Sequence, residues 1–450
     1  MPRWDYYIVL FAFVFPIYGI TALCWANVTL AIRDFIIRNG TMCSLPRWRV
    51  IALFWSAAEC AFSVYYYRTS KRLQHRVLPP SLSPQEMNRI FFECCSHATE
   101  ITATLSLWFN GAHVNDLRKE NIREYLGWAF YDKYLDELTV QEVQTTEGMI
   151  RILEQKIGSK LENGYNSNVN CMRMTLDPFT SLSRPLVVYG IVSVADLVMG
   201  LYLSYQGFRR MQCGHLSYWM RPGSYIAQDK SLKQSPIIFV HGIGIGLAAY
   251  VSFIRKFITK FEDRDILLLE LPHVSMRLDF YVPTMSETLF AIDHLFKQHQ
   301  ITKATWIGHS FGTIIAGWVA KRRPKYIEQL LLIDPICFML WEPYTVLNFV
   351  YRKPTSGLEL MRWYLLQTEL GISRVVCRAF WWHEALLFPH QLPQKLPTFV
   401  FISGGDRIVH GPRLRTYLER YNMNIIYWAN APHADFIIRT DKQYQILKCI

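Results

Sequence analysis

One short turn constrains the fold of this chain more than any other feature: Gly308-His309-Ser310-Phe311-Gly312. An apolar segment with the character of a strand, 304–307, precedes it, and a segment with the character of a helix, 313–318, follows it. This order predicts a sharp strand-to-helix turn with a serine at its apex. Gly308 and Gly312 carry no side chains, so the backbone can fold tightly around Ser310. The turn should present the serine hydroxyl at the carboxyl end of a strand, beside the positive end of a helix.

A second glycine-rich turn lies upstream of the serine. An apolar segment runs directly into the sequence His-Gly-Ile-Gly-Ile-Gly at 241–246. Backbone N–H groups exposed by such a turn can bind a developing oxyanion, which needs at least two donors already in place. The expected pair is the N–H of Ile243 and the N–H of Phe311, with His241 and Gly242 shaping the turn. A phosphate-binding loop is the alternative, but the sequence has no G-x-x-x-x-G-K-[ST] and no acidic residue placed as in a dinucleotide-binding unit.

Two later loops carry an acid and a base. The apolar segment 397–402 is typical of a buried strand and is followed by Ser-Gly-Gly-Asp, which ends at Asp406. The strand-like segment 424–428 is followed by a loop that contains His433. An aspartate just past a strand end can hold a histidine in one tautomer and stabilise its charged form. We therefore expect Ser310 to be a nucleophile, His433 its base and Asp406 the acid that orients the base.

Asp334 competes for the acid role, because it also follows an apolar, strand-like segment, 330–333. Pro335 comes next, and proline is favoured at the first position of a helix. The Asp334 side chain can therefore instead cap that helix. Chain order favours Asp406 as the acid and leaves Asp334 as the alternative.

From residue 235 to residue 450 the chain resembles the α/β-hydrolases. The resemblance rests on the two glycine-rich turns, on Asp406 and His433, and on the chain order serine, aspartate, histidine. Within that superfamily the chain is similar to membrane-associated fungal hydrolases of the lipase or esterase type, which carry a hydrophobic N-terminal half. The resemblance implies a doubly wound, mostly parallel α/β sheet and a cap inserted at about 336–396. It also implies serine-based acyl transfer to water, which requires no metal and no cofactor.

Composition points to a membrane rather than to a nucleic acid. Hydrophobic types make up 51% of the 450 residues and charged types only 19%, which favours membrane contact. The net charge of +12, from 48 basic and 36 acidic residues, suits anionic lipid headgroups. A basic chain can also bind nucleic acid, but the sequence has no dense basic stripe, zinc finger or RNA-binding signature. The ten cysteines show no metal-ligand spacing.

Three segments are long and apolar enough to be membrane helices: Tyr6–Ile32, Val50–Tyr67 and Pro185–Tyr205. The second contains Glu59 and the third Asp196, and a charge in mid-membrane must face protein, water or a partner. Basic residues flank both ends of the second segment, so charge does not fix its orientation, and buried core helices remain the alternative. We expect three regions: membrane-anchoring helices in 1–80, a helical region with a possible third membrane helix (185–205) in 81–210, and a catalytic domain in 235–450.

These features predict a membrane-associated serine hydrolase that cleaves carboxylic esters of apolar or lipid substrates through Ser310, His433 and Asp406. Two alternatives remain open. A membrane acyltransferase would use the same serine with an alcohol in place of water, and a non-catalytic lipid-binding protein would have kept only the fold. The expected location is an endomembrane such as the endoplasmic reticulum or a lipid droplet, ahead of the plasma membrane. The sequence favours no nucleic-acid partner and leaves protein partners open.

Overall fold

The computed structural model describes residues 2–37, 46–224 and 234–450, and in these ranges eight strands form one sheet. The strands are β1 (Arg209–Cys213), β2 (Leu216–Arg221), β3 (Ile237–Val240), β4 (Ile266–Glu270), β5 (Ala304–His309), β6 (Ile327–Ile333), β7 (Thr398–Ser403) and β8 (Asn424–Trp428). Their order across the sheet is β1-β2-β4-β3-β5-β6-β7-β8. β2 is antiparallel to both of its neighbours, and the remaining neighbouring pairs are parallel. This doubly wound, mostly parallel arrangement confirms the predicted α/β fold class.

Both faces of the sheet are buried, which explains its apolar strands. In β3, Ile238 and Val240 face one hydrophobic core, while Ile237 and Phe239 face a second core on the opposite side. Successive side chains of a strand point to opposite faces, so a strand covered on both sides needs apolar residues at every position. The helices that contribute to these two cores include α9 (Val251–Lys260), α10 (Met285–Gln298), α11 (Gly312–Arg322), α16 (Gly411–Glu419) and α17 (Thr440–Lys448).

The sheet begins before residue 235, where the sequence places the start of the catalytic domain. β1 and β2 form a hairpin that joins the sheet beside β4. β1 is the edge strand, and its side chains are exposed or half-buried. An edge strand of this kind needs no buried apolar face. Its sequence, Arg-Arg-Met-Gln-Cys, therefore lacks the alternation that predicts a strand.

An insertion of short helices separates β6 from β7, where the cap was expected. Its elements are α12 (Tyr344–Val346), a π-helical turn (Leu347–Tyr351), α13 (Gly357–Arg362), a second π-helical turn (Trp363–Gln367), α14 (Leu370–Arg378) and α15 (Trp382–Ala385). Several of its aromatic side chains are buried, among them Trp341, Tyr364 and Phe388. Phe349 and Phe380 also line the cavity that contains Ser310. The aromatic residues of the insertion thus both pack its interior and shape that cavity.

Within the described residues, three helices are long and apolar enough to cross a membrane: Trp4–Ile37, Arg47–Leu73 and Leu186–Tyr205. The first consists of α1 (Trp4–Val9), a π-helical turn (Leu10–Val14) and α2 (Phe15–Ile37). The second is α3 and the third is α8. These helices contain almost all of the three segments that the sequence singles out.

Glu59, the acid in the middle of α3, faces protein. Its side chain is almost fully buried, with 1% of its surface exposed. Its two carboxylate oxygens accept hydrogen bonds from the Thr21 hydroxyl of α2 (2.7 Å) and from the Leu186 N–H at the start of α8 (2.7 Å). One carboxylate therefore links all three apolar helices, which meets the condition for an acid in an apolar segment.

The third apolar helix, α8, packs by one face against the sheet region. Met199 and Leu203 are buried in the core on one side of the sheet. Asp196 pairs with Arg277, which follows β4 in the chain. The opposite face of α8 is apolar and more than half exposed at Ile191, Val194, Leu197, Val198, Leu201 and Tyr205. Arg277 thus pairs with the charged residue of this helix, whereas a row of apolar side chains on the opposite face remains exposed.

Between α3 and α8, residues 84–157 are largely helical, as expected. The helices are α4 (Pro84–His97), α5 (Ile101–Trp108), α6 (Lys119–Tyr131) and α7 (Val140–Ile157). Ser83 caps α4, since its hydroxyl accepts from the Glu86 N–H (3.2 Å) while the Glu86 carboxylate accepts from the Ser83 N–H (3.4 Å). Apolar residues of these helices belong to the same hydrophobic core as the cap insertion.

Candidate active site

Ser310 lies at a sharp turn between β5 and α11, as the sequence predicts. Its φ is +50°, a left-handed conformation that residues other than glycine rarely adopt. The Ser310 N–H donates to the Ile333 carbonyl (2.9 Å), and the Ser310 carbonyl accepts from the Thr313 N–H (2.9 Å) and hydroxyl (2.6 Å). These hydrogen bonds compensate the backbone strain and fix the serine at the start of α11.

Close contacts require glycine at three positions around this turn. A Cβ on Gly312 would lie 2.2 Å from the Val240 carbonyl oxygen, and one on Gly308 would lie 2.8 Å from the Gly312 carbonyl oxygen. A Cβ on Gly242 would lie 2.9 Å from the Ser310 Cβ. Real Cβ atoms essentially never approach other atoms within 3.0 Å. These glycines therefore allow the two turns to meet beside the serine.

The side chains of Ser310, His433 and Asp406 are joined by hydrogen bonds. The Ser310 Oγ lies 2.9 Å from His433 Nε2, and His433 Nδ1 lies 2.6 Å from one Asp406 carboxylate oxygen. The other Asp406 oxygen accepts from the N–H groups of Ile408 (2.6 Å) and Val409 (3.1 Å). The carboxylate is thus fixed and favours a proton on Nδ1, which leaves Nε2 free to accept the serine proton.

Asp334, the alternative acid, makes its hydrogen bonds to the backbone rather than to the imidazole of His433. Its Oδ1 accepts from the Ser403 N–H (3.0 Å), and its Oδ2 accepts from the Ala434 N–H (2.8 Å). The chain continues as a loop after Pro335, so Asp334 does not cap a helix there. Its buried carboxylate instead ties together the loops that follow β7 and β8. Burial raises the pKa of Asp334 above its ordinary value.

The environment of His433 adjusts its basicity. Burial lowers the pKa of His433, but the adjacent Asp406 carboxylate and, more weakly, Asp334 raise it. The positive charge of Arg362 acts in the lowering direction. The net effect is a pKa above the ordinary value of histidine, because the carboxylates stabilise the imidazolium. A base that must hold a proton during a reaction needs this stabilisation.

His241 fixes the shape of the upstream turn. Its Nδ1 donates to the Gly242 carbonyl (2.8 Å), and its Nε2 accepts from the Leu271 N–H (3.0 Å). Complete burial lowers the pKa of His241 to about 4, so the ring is neutral near pH 7. This histidine therefore has a structural place in the turn, as the sequence suggests.

Two backbone N–H groups beside Ser310 are available to a ligand. The N–H groups on either side of Ile243 are occupied, one by the Tyr250 hydroxyl (3.0 Å) and the other by the Val274 carbonyl (3.0 Å). In the part of the chain that the structure describes, the N–H groups of Ile243 and Phe311 donate to no protein acceptor. Both residues line the same cavity as Ser310. They are the two residues expected to hold an oxyanion.

Tyr250 is a site residue that the sequence did not reveal. Its buried hydroxyl accepts from the Gly242 N–H and lies 2.7 Å from Nδ1 of His309. The O–H of Tyr250 is then free to donate to Nδ1, an arrangement in which the proton of the neutral imidazole is on Nε2. Burial and the neighbouring histidines lower the pKa of His309 well below its ordinary value. Tyr250 thus connects the two glycine-rich turns across 59 residues of chain, a contact that no motif predicts.

A cavity of about 460 Å³ opens in front of Ser310 and His433. Its walls are mainly apolar, and the cap contributes Val346, Phe349 and Val350 among others. Its size and composition are those of a typical small-molecule site. In the described ranges, no cluster of three His, Cys, Asp or Glu side chains is arranged to hold a metal ion.

The start of the N-terminal helix forms part of the wall of this cavity. The Arg3 N–H donates to the Thr355 carbonyl (2.8 Å), and the Asp5 carboxylate accepts from the Gly357 N–H (3.1 Å). A Cβ on Gly357 would lie 2.7 Å from the Asp5 carbonyl oxygen and 2.8 Å from a methyl carbon of Val9. The first apolar helix is therefore in close contact with the cap, and Arg3 and Asp5 line the cavity.

Comparison with known proteins gives partial matches. No protein-family model matches the chain. The abhydrolase domain-containing protein abhd-5.2 of Caenorhabditis elegans is 31% identical over 147 residues, which are 31% of this chain and 31% of that protein. The sn-1-specific diacylglycerol lipase ABHD11 of Xenopus laevis is 31% identical over 117 residues, which are 25% of this chain and 35% of that protein. The chain thus spans about a third of the length of these curated relatives.

Solved structures match part of the chain at low sequence identity. A membrane phospholipase A, described as a bacterial virulence factor, is 18% identical, with a TM-score of 0.40 over 58% of this chain and 93% of its own. A putative lipase from Acinetobacter baumannii is 14% identical, with a TM-score of 0.39 over 57% and 96%. The strand order and the serine turn after β5 define the region from β1 to the C-terminal α17 as an α/β-hydrolase fold.

Proposed function

We propose that this protein is a membrane-associated serine hydrolase that cleaves carboxylic esters of apolar or lipid substrates. The observation that carries the proposal is the pair of contacts of His433, 2.9 Å to the Ser310 hydroxyl and 2.6 Å to the Asp406 carboxylate. A nucleophile, its base and a group that orients the base are thus within hydrogen-bond reach of one another, at the wall of a mainly apolar cavity.

The reaction would proceed in two acyl-transfer steps. His433 Nε2 removes the proton of Ser310, and the serine oxygen attacks the ester carbonyl carbon. The N–H groups of Ile243 and Phe311 donate to the oxyanion that forms. The imidazolium of His433, stabilised by Asp406, then gives its proton to the departing alcohol, and an acyl-serine remains. Water attacks this acyl group with His433 again as the base, which releases the acid and restores the serine.

The cavity favours an apolar acyl chain. Its walls near Ser310 are built largely from aliphatic and aromatic side chains of the cap, and about 460 Å³ accommodates part of a long chain. The partial match to a diacylglycerol lipase is in keeping with an ester lipid substrate.

Membrane association follows from the apolar helices. Three helices have the length and composition of membrane spans, and their exposed faces are rich in apolar side chains. Arg3 and Asp5, at the start of the N-terminal helix, line the cavity, so a lipid that moves from the bilayer along this helix would reach the cavity that contains Ser310. The proposed setting is an endomembrane, where the substrate is itself a membrane lipid.

The non-catalytic alternative fits the site less well. A protein that kept only the fold would be under no constraint to hold Ser310 and His433 at hydrogen-bond distance, or to leave two N–H groups free beside them. The acyltransferase alternative shares the same first step and differs only in the acceptor, so product analysis separates it from hydrolysis.

The test is hydrolysis of long-chain ester lipids by the purified full-length protein. We expect wild type to release fatty acid from diacylglycerol and Ser310→Ala to lose at least about 10³-fold in kcat. Ser96→Ala, which removes an exposed hydroxyl bound only to a backbone carbonyl of its own helix, is the matched control. Equal activity of wild type and Ser310→Ala would overturn the proposal. Transfer of the acyl group to added alcohol, in preference to water, would replace hydrolase by acyltransferase.

A further inference from the structure

The cavity in front of Ser310 has a charged end. Besides the histidines, five charged side chains line it: Arg3, Asp5, Glu359, Arg362 and Arg407. Three of these are basic and two acidic, which leaves a net charge of +1 on the wall. This charged end lies near the contact between the N-terminal helix and the cap, and most of the other residues that line the cavity are apolar.

Both acids at this end already have fixed partners. Asp5 accepts from the Gly357 N–H (3.1 Å) and lies 3.4 Å from Arg3 Nε. Glu359 accepts from the N–H and the hydroxyl of Thr355 (both 2.8 Å) and pairs with Arg407. These contacts pair Arg3 with Asp5 and Arg407 with Glu359.

Arg362 is the exception among these charged side chains. It makes no hydrogen bond and no ion pair with any described residue, and its Nε is enclosed without a partner. An enclosed N–H group without a partner has lost hydration that no protein group replaces. Its charge reaches the proposed triad, because it lowers the pKa of His433. Arg362 is therefore a cation on the wall of this cavity that has no hydrogen-bond or ion-pair partner among the described residues, although the charges of Glu359 and Asp406 act on it from further away.

We propose that Arg362 binds an anionic group on the substrate, so that the enzyme prefers ester lipids with a phosphate or carboxylate in the alcohol part. This inference rests on the proposed function, since it names the substrate class of the same site. A guanidinium presents a planar set of N–H donors that matches two oxygens of a phosphate or carboxylate. The acyl chain would occupy the apolar wall while the headgroup remains at the charged end.

The test measures binding in a protein that cannot turn over. The full-length Ser310→Ala protein is titrated in detergent with two lipids of the same acyl chain, 1-oleoyl-glycerol-3-phosphate and 1-oleoyl-glycerol. We expect the phosphate lipid to bind about tenfold or more tightly than the neutral lipid, the size expected for a charge-assisted hydrogen bond. Adding Arg362→Gln should erase this difference and leave affinity for the neutral lipid within about twofold. Adding Arg362→Lys should retain part of the preference, because the charge remains.

Arg352→Gln is the matched control. Arg352 is another arginine of the cap, 3.6 Å from the same Glu359 carboxylate, but it does not line the cavity. The control should keep the preference for the phosphate lipid. Equal binding of the two lipids, or an equal loss for both in Arg362→Gln, would overturn the inference. It would also be overturned if Arg362→Gln weakened only the binding of free oleate, since the anion would then be the fatty-acid product.

If the proposed function is wrong but the anion site is right, the experiments give a different result. In that case the phosphate lipid would still bind with the preference described, but wild type would cleave neither lipid. A headgroup preference that disappears in Arg362→Gln therefore supports the anion site whether or not Ser310 is a nucleophile.

Discussion

The carboxylate of Asp334 lies 2.8 Å from the N–H of Ala434, the residue that follows His433. Its other oxygen accepts from the N–H of Ser403, three residues before Asp406. One buried side chain at the end of β6 therefore holds both loops that bring Asp406 and His433 together. The two aspartates that competed for the acid role therefore have different contacts: Asp334 holds the two loops, and Asp406 contacts His433.

Asp406→Asn should consequently lower mainly kcat, whereas Asp334→Asn should lower mainly the stability of the fold. Asp406→Asn removes the charge that stabilises the imidazolium, and we expect a loss of about 10³- to 10⁴-fold in kcat with a folded protein. Asp334→Asn places an amide against a backbone N–H, which should cost about 1–3 kcal/mol of stability. Its effect on kcat should be smaller, below about 10²-fold, because it acts only through positioning. Steady-state kinetics and thermal unfolding of both variants distinguish the roles, and a reversed pattern would make Asp334 the acid.

The pH dependence of the reaction should report His433. The imidazole must be neutral to accept the serine proton, and its pKa is raised above its ordinary value of 6.5. The acid limb of kcat/KM should therefore have its midpoint above about pH 6.5. In Asp406→Asn the midpoint should move to lower pH, since the main group that raises the pKa is gone. The stability contributed by the charged histidine is present below about pH 6.5 and is lost as pH rises through its folded pKa.

Two other buried histidines cannot account for an acid limb of kcat/KM with a midpoint above about pH 6.5. Burial lowers the pKa of His241 to about 4 and that of His273 to about 3. These groups stay neutral across the pH range of the expected midpoint. An acid limb that is unchanged in Asp406→Asn would contradict the assignment of His433.

Tyr250→Phe tests the link between the two glycine-rich turns. The substitution leaves the Gly242 N–H without its acceptor and the His309 Nδ1 without its donor. We expect a loss of about 1–3 kcal/mol of stability from these buried groups. We also expect kcat to fall by about tenfold or more, because the N–H of Ile243 is positioned by this turn. Chemical denaturation and kinetics measure the two effects, and unchanged kcat would show that the turn is held by other contacts.

Gly357→Ala tests the contact between the N-terminal helix and the cap. The added methyl group would meet the Asp5 carbonyl oxygen at 2.7 Å, so the helix or the cap must shift, at a cost of about 1–3 kcal/mol. We expect kcat/KM for a long-chain ester in vesicles to fall more than that for a short soluble ester. Gly148→Ala is the control, since no atom lies within 4 Å of its added Cβ. Equal behaviour of the two variants would show that this contact does not affect access to Ser310.

The sequence predicted those parts of the molecule that depend on local patterns. The apolar strands before Ser310, Asp406 and His433 end in loops at one edge of the sheet, so the chain order alone indicated which side chains would meet. The two glycine-rich turns likewise predicted that the N–H groups of Ile243 and Phe311 would be available beside Ser310. Apolar composition similarly predicted the three long helices.

Other features depend on contacts between distant residues. The hydrogen bond from Gly357 to Asp5 joins positions 352 residues apart, and nothing local to either residue indicates it. Arg362 lies in an insertion rich in aromatic residues, and only the folded cap shows that its Nε has no hydrogen-bond partner among the described residues. The edge strand β1 escaped prediction because its side chains are exposed or half-buried, so it needs few apolar residues.

Labelling with a fluorophosphonate probe tests the central claim most directly, because the probe reacts only with an activated serine. Membranes containing the full-length protein are treated with the probe, wild type beside Ser310→Ala and the Ser96→Ala control. We expect the probe to label wild type and Ser96→Ala but not Ser310→Ala. Labelling that persists in Ser310→Ala, or a folded wild-type protein that takes up no probe, would contradict this expectation.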